Sequence, residues 1–367
     1  MNCPALEKLC AEASDATPRV SVIMIFLNCR AFIAEAIGSV RSQSFNQWEL
    51  VLVDDGSDDG SYEVAATLAA ADPARVRLVQ HPDRGNHGTG ASRNLGLSHC
   101  RGEFVAFLDA DDVYLPNRLQ RHVELLDRHP EVSLVQGPVQ MWFSWYGDGK
   151  QGTADNEASP LPVAVDQPIE PPGLLTLLIR SKGYTHPAIN CLTFRAADVR
   201  RLGGFNASFR HAYEDTSLLA KTYLECVTLV TGEVLARYRQ HPQSLVHRLE
   251  RQGLYVPGRP NPAHRAFMEW LQDYVSLHPN SSDTLRSAVR AELWPYAHPW
   301  AWSMQNLPHL LLRRLRDMVS RVLPAGLIKA VLERRGRQKE ARAAERTSKI
   351  ARDVGVSSRP IDPEERT

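Results

Sequence analysis

The strongest constraint in this 367-residue chain is a repeated pairing of short apolar runs with helix-length stretches. VSVIMIFL (20–27), ELVLVDD (49–55), VRLVQ (76–80) and EFVAFLD (103–109) are nearly continuous in apolar residues and bounded by polar or glycine-rich turns. Between them, Ala31 to Ser44, Ser61 to Ala71 and Ala91 to His99 are long enough for helices. A strand that is apolar on both sides needs cover on both faces. The alternation therefore predicts an α/β domain with a mixed, mostly parallel, Rossmann-like sheet flanked by helices. Ligands of such sheets bind beyond the carboxyl ends of the strands. Asn28, the Asp54–Asp55 pair, His81 and a cluster at Asp109, Asp111 and Asp112 all fall at those ends. That edge is the candidate site.

Farther along, a helix is expected over Asn117 to Arg128, followed by the run VSLVQGPVQMWFSWY. The polar segment from Gly147 to Gly173 reads as a loop or excursion, and regular structure resumes around NCLTFRAADVRRLGGF and YEDTSLLAKTYLECVTLV. YVPGRPNP reads as a linker into further helical patterns. The expected division is an N-terminal extension (1–18), the sheet domain (19–250), a helical C-terminal region (251–349) and a polar, disordered tail (350–367). A formal net charge of +1 gives no general reason to expect nucleic acid as a partner. Six scattered cysteines without a C-x-x-C pair read as neither a disulfide framework nor a zinc site. The first eighteen residues lack the basic head and apolar core of a signal peptide, and Val20 to Leu27 is too short to span a bilayer. A soluble or peripheral cytoplasmic protein is the expectation.

FVAFLDADDVYLP (104–116) places three aspartates within four positions, where self-repulsion needs compensation. Asp109, Asp111 and Val113 satisfy the D-x-D-x-[TV] signature of haloacid-dehalogenase phosphatases, with the first aspartate as nucleophile. That motif normally opens its fold, whereas three strand–helix units precede it here. A calcium loop fails in its spacing after Asp112. Two carboxylates at i and i+2 can instead present oxygens to one hard cation whose other ligands are phosphates. The plainest reading is a solvated turn.

VLVDDGSDDGS (51–61) allows a receiver-type acidic pocket, an Asp55 that accepts hydrogen bonds from a base or ribose, or a helix cap at Ser57 or Asp58. HPDRGNHGTGASRNLGL (81–97) is neither a dinucleotide fingerprint nor a P-loop. Its Gly85, Gly88 and Gly90 nevertheless suggest close backbone approach to a ligand. Arg93 can reach a base or phosphate, and His87 reads as an ordinary loop histidine.

SVIMIFLN, LVLVDDGSDDGS, ASRNLGLSHCRGEFVAFLDADD, GGFN…YEDTSL and YRQHPQS stand in one order over roughly residues 19 to 245. Together they resemble the family 2 glycosyltransferases, nucleotide-sugar-dependent enzymes of the GT-A fold. The resemblance implies that Asp55 hydrogen-bonds the nucleobase with Arg93 close by. It also implies that Asp109 lies near the ribose and metal, Asp111 ligates the metal, and Asp112 supports them. His241 would complete a divalent-metal site, best suited to manganese, with magnesium the alternative. Asp215 matches the catalytic base of an inverting transfer, with Glu214 its rival. Leu27 stands where the family commonly has an aromatic ring against the base, a departure that leaves guanosine or thymidine open beside the favoured UDP-sugar. The processive synthases' Q-x-x-R-W motif is missing, which points to one sugar per encounter.

Trp142, Trp145 and Tyr184 are candidates for stacking on a sugar ring, or are interface aromatics. Residues 308 to 335 interleave apolar and arginine residues at helical spacing, a pattern suited to peripheral contact with an anionic membrane or to packing on the catalytic domain. The implied activity is single-sugar transfer to a saccharide or lipid-linked glycan acceptor in surface polysaccharide synthesis. The rival is a catalytically inactive nucleotide-sugar-binding scaffold.

Overall fold

In the computed structural model the described residues are 17–146, 155–157, 161, 163–181, 187–210, 212–251, 260–307 and 345–357. The chain forms two compact units. One holds the sheet and runs to Tyr255; the other gathers 162–164, 171–184 and the residues from Val256 onward.

In the first unit the four apolar runs become β1 (Val20–Phe26), β2 (Trp48–Asp54), β3 (Val76–Gln80) and β4 (Phe104–Phe107). β1 and β2 are buried at every residue, as strands covered on both faces must be. The helices between them are α1 (Ile33–Arg41), α2 (Ser61–Ala70) and α3 (Thr89–His99). Next come the short β5 (Val113–Tyr114), α4 (Arg118–Arg128), β6 (Val132–Gln136), β7 (Gln140–Trp142), β8 (Asn156–Glu157) and β9 (Pro168–Ile169).

α5 (Gly173–Arg180) belongs to the second unit. The first resumes with β10 (Thr193–Arg195), α6 (Ala196–Arg201), α7 (Glu214–Glu225), β11 (Val227–Val230) and β12 (Ala236–Arg239), followed by α8 (Leu245–Arg251).

Among the described residues the main sheet has eight strands in the order β3-β2-β1-β4-β10-β6-β11-β9. β3, β2, β1 and β4 are mutually parallel, whereas β10 runs antiparallel to both its neighbours. The order reverses at β1 and β4, so the switch point falls where β1 ends and the aspartate cluster begins. A second sheet, β5-β12-β7-β8, pairs β12 with β5 through Ala236–Tyr114 and Arg237–Val113. This pairing brings the strand before His241 beside the strand that follows the aspartates.

The second unit contains α5, α9 (Pro262–Leu277) and α10 (Asp283–Ala297), with α5 packed on α10. Within the expected polar tail, residues 350–357 depart from disorder. Residues 345–353 are helical, and Ile350, Ala351 and Val356 are buried, so burial of apolar side chains holds 350–357 in this unit. The basic amphipathic stretch 308–335 and Tyr184 lie outside the described residues. Among the described residues, no helix is long and apolar enough to cross a membrane.

Candidate active site

The loop after β2 is organised by its carboxylates. Asp54 accepts from the Ser57 N–H at 3.0 Å and from the Gln80 amide at 2.8 Å. Asp55, 5% exposed, accepts from the backbone N–H groups of His87 (2.8 Å) and Gly88 (3.0 Å) and from the Ser92 hydroxyl (2.8 Å). Asp55 therefore anchors the glycine-rich loop through both its oxygens. Ser92 also lies 2.9 Å from His81 Nε2. Burial, and then the charge of the stacked His87 ring, hold the His81 imidazole below its ordinary pKa.

The loop glycines serve this packing. Gly88 has φ +87, a conformation that L side chains rarely adopt. A Cβ on Gly90 would lie 3.4 Å from the Ala207 Cα and 3.3 Å from the Glu214 Cβ, so its close approach is to the protein's own chain.

Arg93, in the first half of α3, joins two acidic elements distant in sequence. Its guanidinium donates to Asp109 Oδ1 and to Glu214 Oε1, each at 2.9 Å, and is 5% exposed. Burial opposes its charge, but Asp109 and Glu214 more than offset this and raise its pKa. Burial also raises the Asp109 pKa, with Asp111 adding to the effect and Arg93 opposing it. Asp112 is pushed well above the usual carboxylate range by burial and by its two neighbouring aspartates. Its oxygens accept from the Asn190 amide (2.8 Å) and the Arg239 N–H (2.7 Å).

His241 follows β12 and brings Nε2 to 3.0 Å from Asp111 Oδ2. Its Nδ1 is buried without a hydrogen-bond partner among the described residues. The structure thus brings Asp111 and His241 together and turns Asp109 toward Arg93. Among the described residues, no three His, Cys, Asp or Glu side chains are grouped as cation ligands. A carboxylate and an imidazole nitrogen this close are a pair that could hold a divalent cation.

Glu214 and Asp215 open α7, where the helix dipole favours negative charge. Asn94 holds the preceding turn by donating to the Phe205 carbonyl and accepting from its N–H. Tyr213, the residue before the helix, sits at φ +74. Glu214 is bound by Arg93 and by the Thr89 hydroxyl (2.8 Å), and burial, followed by Asp215, raises its pKa. Asp215 is less enclosed. It accepts from the N–H (2.6 Å) and hydroxyl (3.2 Å) of Thr216, and no cation pairs with it among the described residues.

Trp142 and Trp145, candidates for stacking on a sugar, pack around the Arg239 guanidinium at 4.3 and 4.8 Å. Arg239, Ser92 and Asn190 are site residues the sequence reading missed. The first two sit inside YRQHPQS and ASRN, so the motifs held them without revealing their partners.

A half-sheet with its switch point at an acidic turn, and a small second sheet carrying a histidine against that turn, define a GT-A architecture. The crystal structure of S. aureus TarS 1-349 in complex with UDP-GlcNAc superposes with a TM-score of 0.56 at 17% identity, covering 79% of this chain and 78% of that one. Another crystal structure of S. aureus TarS 1-349 matches at TM-score 0.52 and 17% identity over 92% of this chain and 90% of its own.

Residues 21–152 match the model of glycosyl transferase family 2. "Putative glycosyltransferase EpsE" of Bacillus subtilis (strain 168) is 40% identical over 130 residues, 35% of this chain and 46% of the relative. "Putative teichuronic acid biosynthesis glycosyltransferase TuaG" of the same organism is 35% identical over 109 residues, 30% of this chain and 42% of the relative. The chain thus spans less than half the length of these relatives.

Proposed function

We propose that this protein moves one sugar, with inversion, from a nucleoside-diphosphate sugar to a saccharide acceptor. The observation that carries this reading is the division of labour at the start of α7. Arg93 and Thr89 occupy Glu214, whereas Asp215 beside it feels the Arg93 charge but forms no direct ion pair among the described residues. A carboxylate in that state can take the acceptor's proton as its hydroxyl oxygen attacks the anomeric carbon. The bond from that carbon to the diphosphate oxygen breaks, and the diphosphate leaves with the electron pair.

Arg93 links the start of α7 to the donor side, since it holds both Glu214 and Asp109, which we place at the ribose. Asp55 holds the loop around Gly88 at the nucleobase end, and its anchored carboxylate sets that wall. Asp111 and His241 would hold a divalent cation, manganese or magnesium, whose Lewis acidity stabilises the charge developing on the leaving diphosphate.

TarS has been crystallised with UDP-GlcNAc, so a UDP-sugar is the first donor to test. The name of TuaG points to a bacterial surface polysaccharide as the class of acceptor. Asp215→Asn should lower kcat by about 10²- to 10⁴-fold while donor affinity stays near wild type. Full transfer by that variant would overturn the base assignment. A wild type that binds UDP-sugars but transfers to no glycan acceptor would favour the inactive scaffold.

A further inference from the structure

Arg239 is a buried cation (3% exposed), and its backbone N–H, Nε and one terminal nitrogen are committed to the surroundings of the Asp111–His241 pair. Its backbone N–H donates to Asp112 Oδ1 at 2.7 Å. Nε donates to the carbonyl of Asp111 at 2.6 Å, and a terminal nitrogen donates to Glu35 on α1 at 2.6 Å. The rings of Phe32, Trp142 and Trp145 surround the guanidinium at 5.0, 4.3 and 4.8 Å. His241 lies two residues farther along, and its ring packs on Phe32 with centroids 4.9 Å apart.

One side chain therefore grips the main chain of Asp111 while its own backbone, two positions before His241, is pinned to Asp112. Nothing else in this arrangement requires a planar, always charged group among three aromatic rings. A surface β-strand could end there without burying a cation, which is costly unless its partners are fixed.

We propose that Arg239 is a positioning residue that sets the distance between Asp111 and His241 and so tunes cation-supported donor binding. This rests on the cation reading above. Lysine keeps the charge but has no planar fork to bond Asp111 and Glu35 together or to stack among the rings. Outer groups that orient metal ligands typically alter metal affinity by about 10- to 100-fold when changed.

The test is calorimetric titration of UDP into the full chain in manganese and, separately, in EDTA. Arg239→Lys should weaken UDP binding about tenfold in manganese and less than about twofold in EDTA. Glu35→Gln, which removes only a half-exposed arm, should give about threefold in manganese and no change in EDTA. Raising manganese should restore binding in Arg239→Lys but not in Asp111→Ala.

Wild-type affinity of the variants in manganese would overturn the inference, and so would equal losses in manganese and EDTA. If Arg239→Lys does not fold, Glu35→Gln decides alone, since unchanged manganese-supported affinity there rejects the clamp. A wild type whose UDP affinity ignores manganese rejects the cation reading and this inference with it. Variants that behave as wild type reject this inference only.

Discussion

The sheet's carboxyl edge carries two acidic turns, and they spend their charge in opposite ways. Asp54 and Asp55 after β2 are enclosed by donors from their own surroundings: Ser57, Gln80, His87, Gly88 and Ser92. Asp109, Asp111 and Asp112 after β4 crowd one another, and burial raises the pKa of the first and third. The first turn's carboxylates are already satisfied by the protein's own donors. The second holds negative charge that, among the described residues, Arg93, His241, Asn190 and the Arg239 N–H partly answer. Proximity at a sheet edge therefore does not make two acidic motifs equivalent; the donors that reach them decide.

Removing each turn's key carboxylate should break that symmetry. Asp55→Ala should cost about 2–4 kcal/mol of stability, because it deletes three hydrogen bonds to a buried carboxylate and leaves two N–H groups orphaned. Equilibrium urea unfolding measures this, and a loss below about 1 kcal/mol would mean that the loop does not depend on Asp55. Asp111→Ala should act in the other direction on the ligand-free protein. Relief of repulsion against Asp109 and Asp112 should leave its melting temperature equal to or slightly above wild type, while the rise caused by UDP with manganese disappears. A melting temperature lowered as far as in Asp55→Ala would show that both turns are structural.

The smallest expected effect concerns pH, at a site away from the edge. Burial, followed by the charges of Arg118 and Arg121, holds His122 well below its ordinary pKa. The unfolded chain therefore binds a proton that the native one refuses, and stability falls as pH drops through about 6.5. The slope from this group is at most about 1.4 kcal/mol per pH unit. His122→Gln, which can keep a hydrogen bond to Thr193, should flatten melting temperature against pH between about 7.5 and 5.5. An unchanged slope would assign the dependence to other groups.

Much of the frame was legible because its signals are local. β1, β3 and β4 lie within the apolar runs and β2 starts one residue before its run; α3 covers the expected helical stretch and the two residues before it, and the acidic residues fall at the strand ends. The pairing of Asp111 with His241 also follows the order of motifs, although 130 positions separate the two. What stayed hidden depends on partners that no spacing encodes. Gly90 read as a ligand-facing glycine, yet its neighbours are Ala207 and Glu214. Trp142 and Trp145 carried a stacking signal without saying on what. Gly173–Arg180 lies inside the expected sheet domain (19–250), but it forms a helix of the other unit.

Hydrophobic alternation by itself determined the doubly covered sheet, and with it the edge where chemistry can occur, because burying both faces of a strand leaves few other arrangements. The tertiary structure decided which of the clustered charges are spent and which remain available. Arg93 reaches Asp109 sixteen residues away and Glu214 at 121, and Arg239 reaches Asp111 at 128. A carboxylate's pKa and reach are set by whatever burial and charge the fold places within a few ångströms, and chain order does not reveal those neighbours.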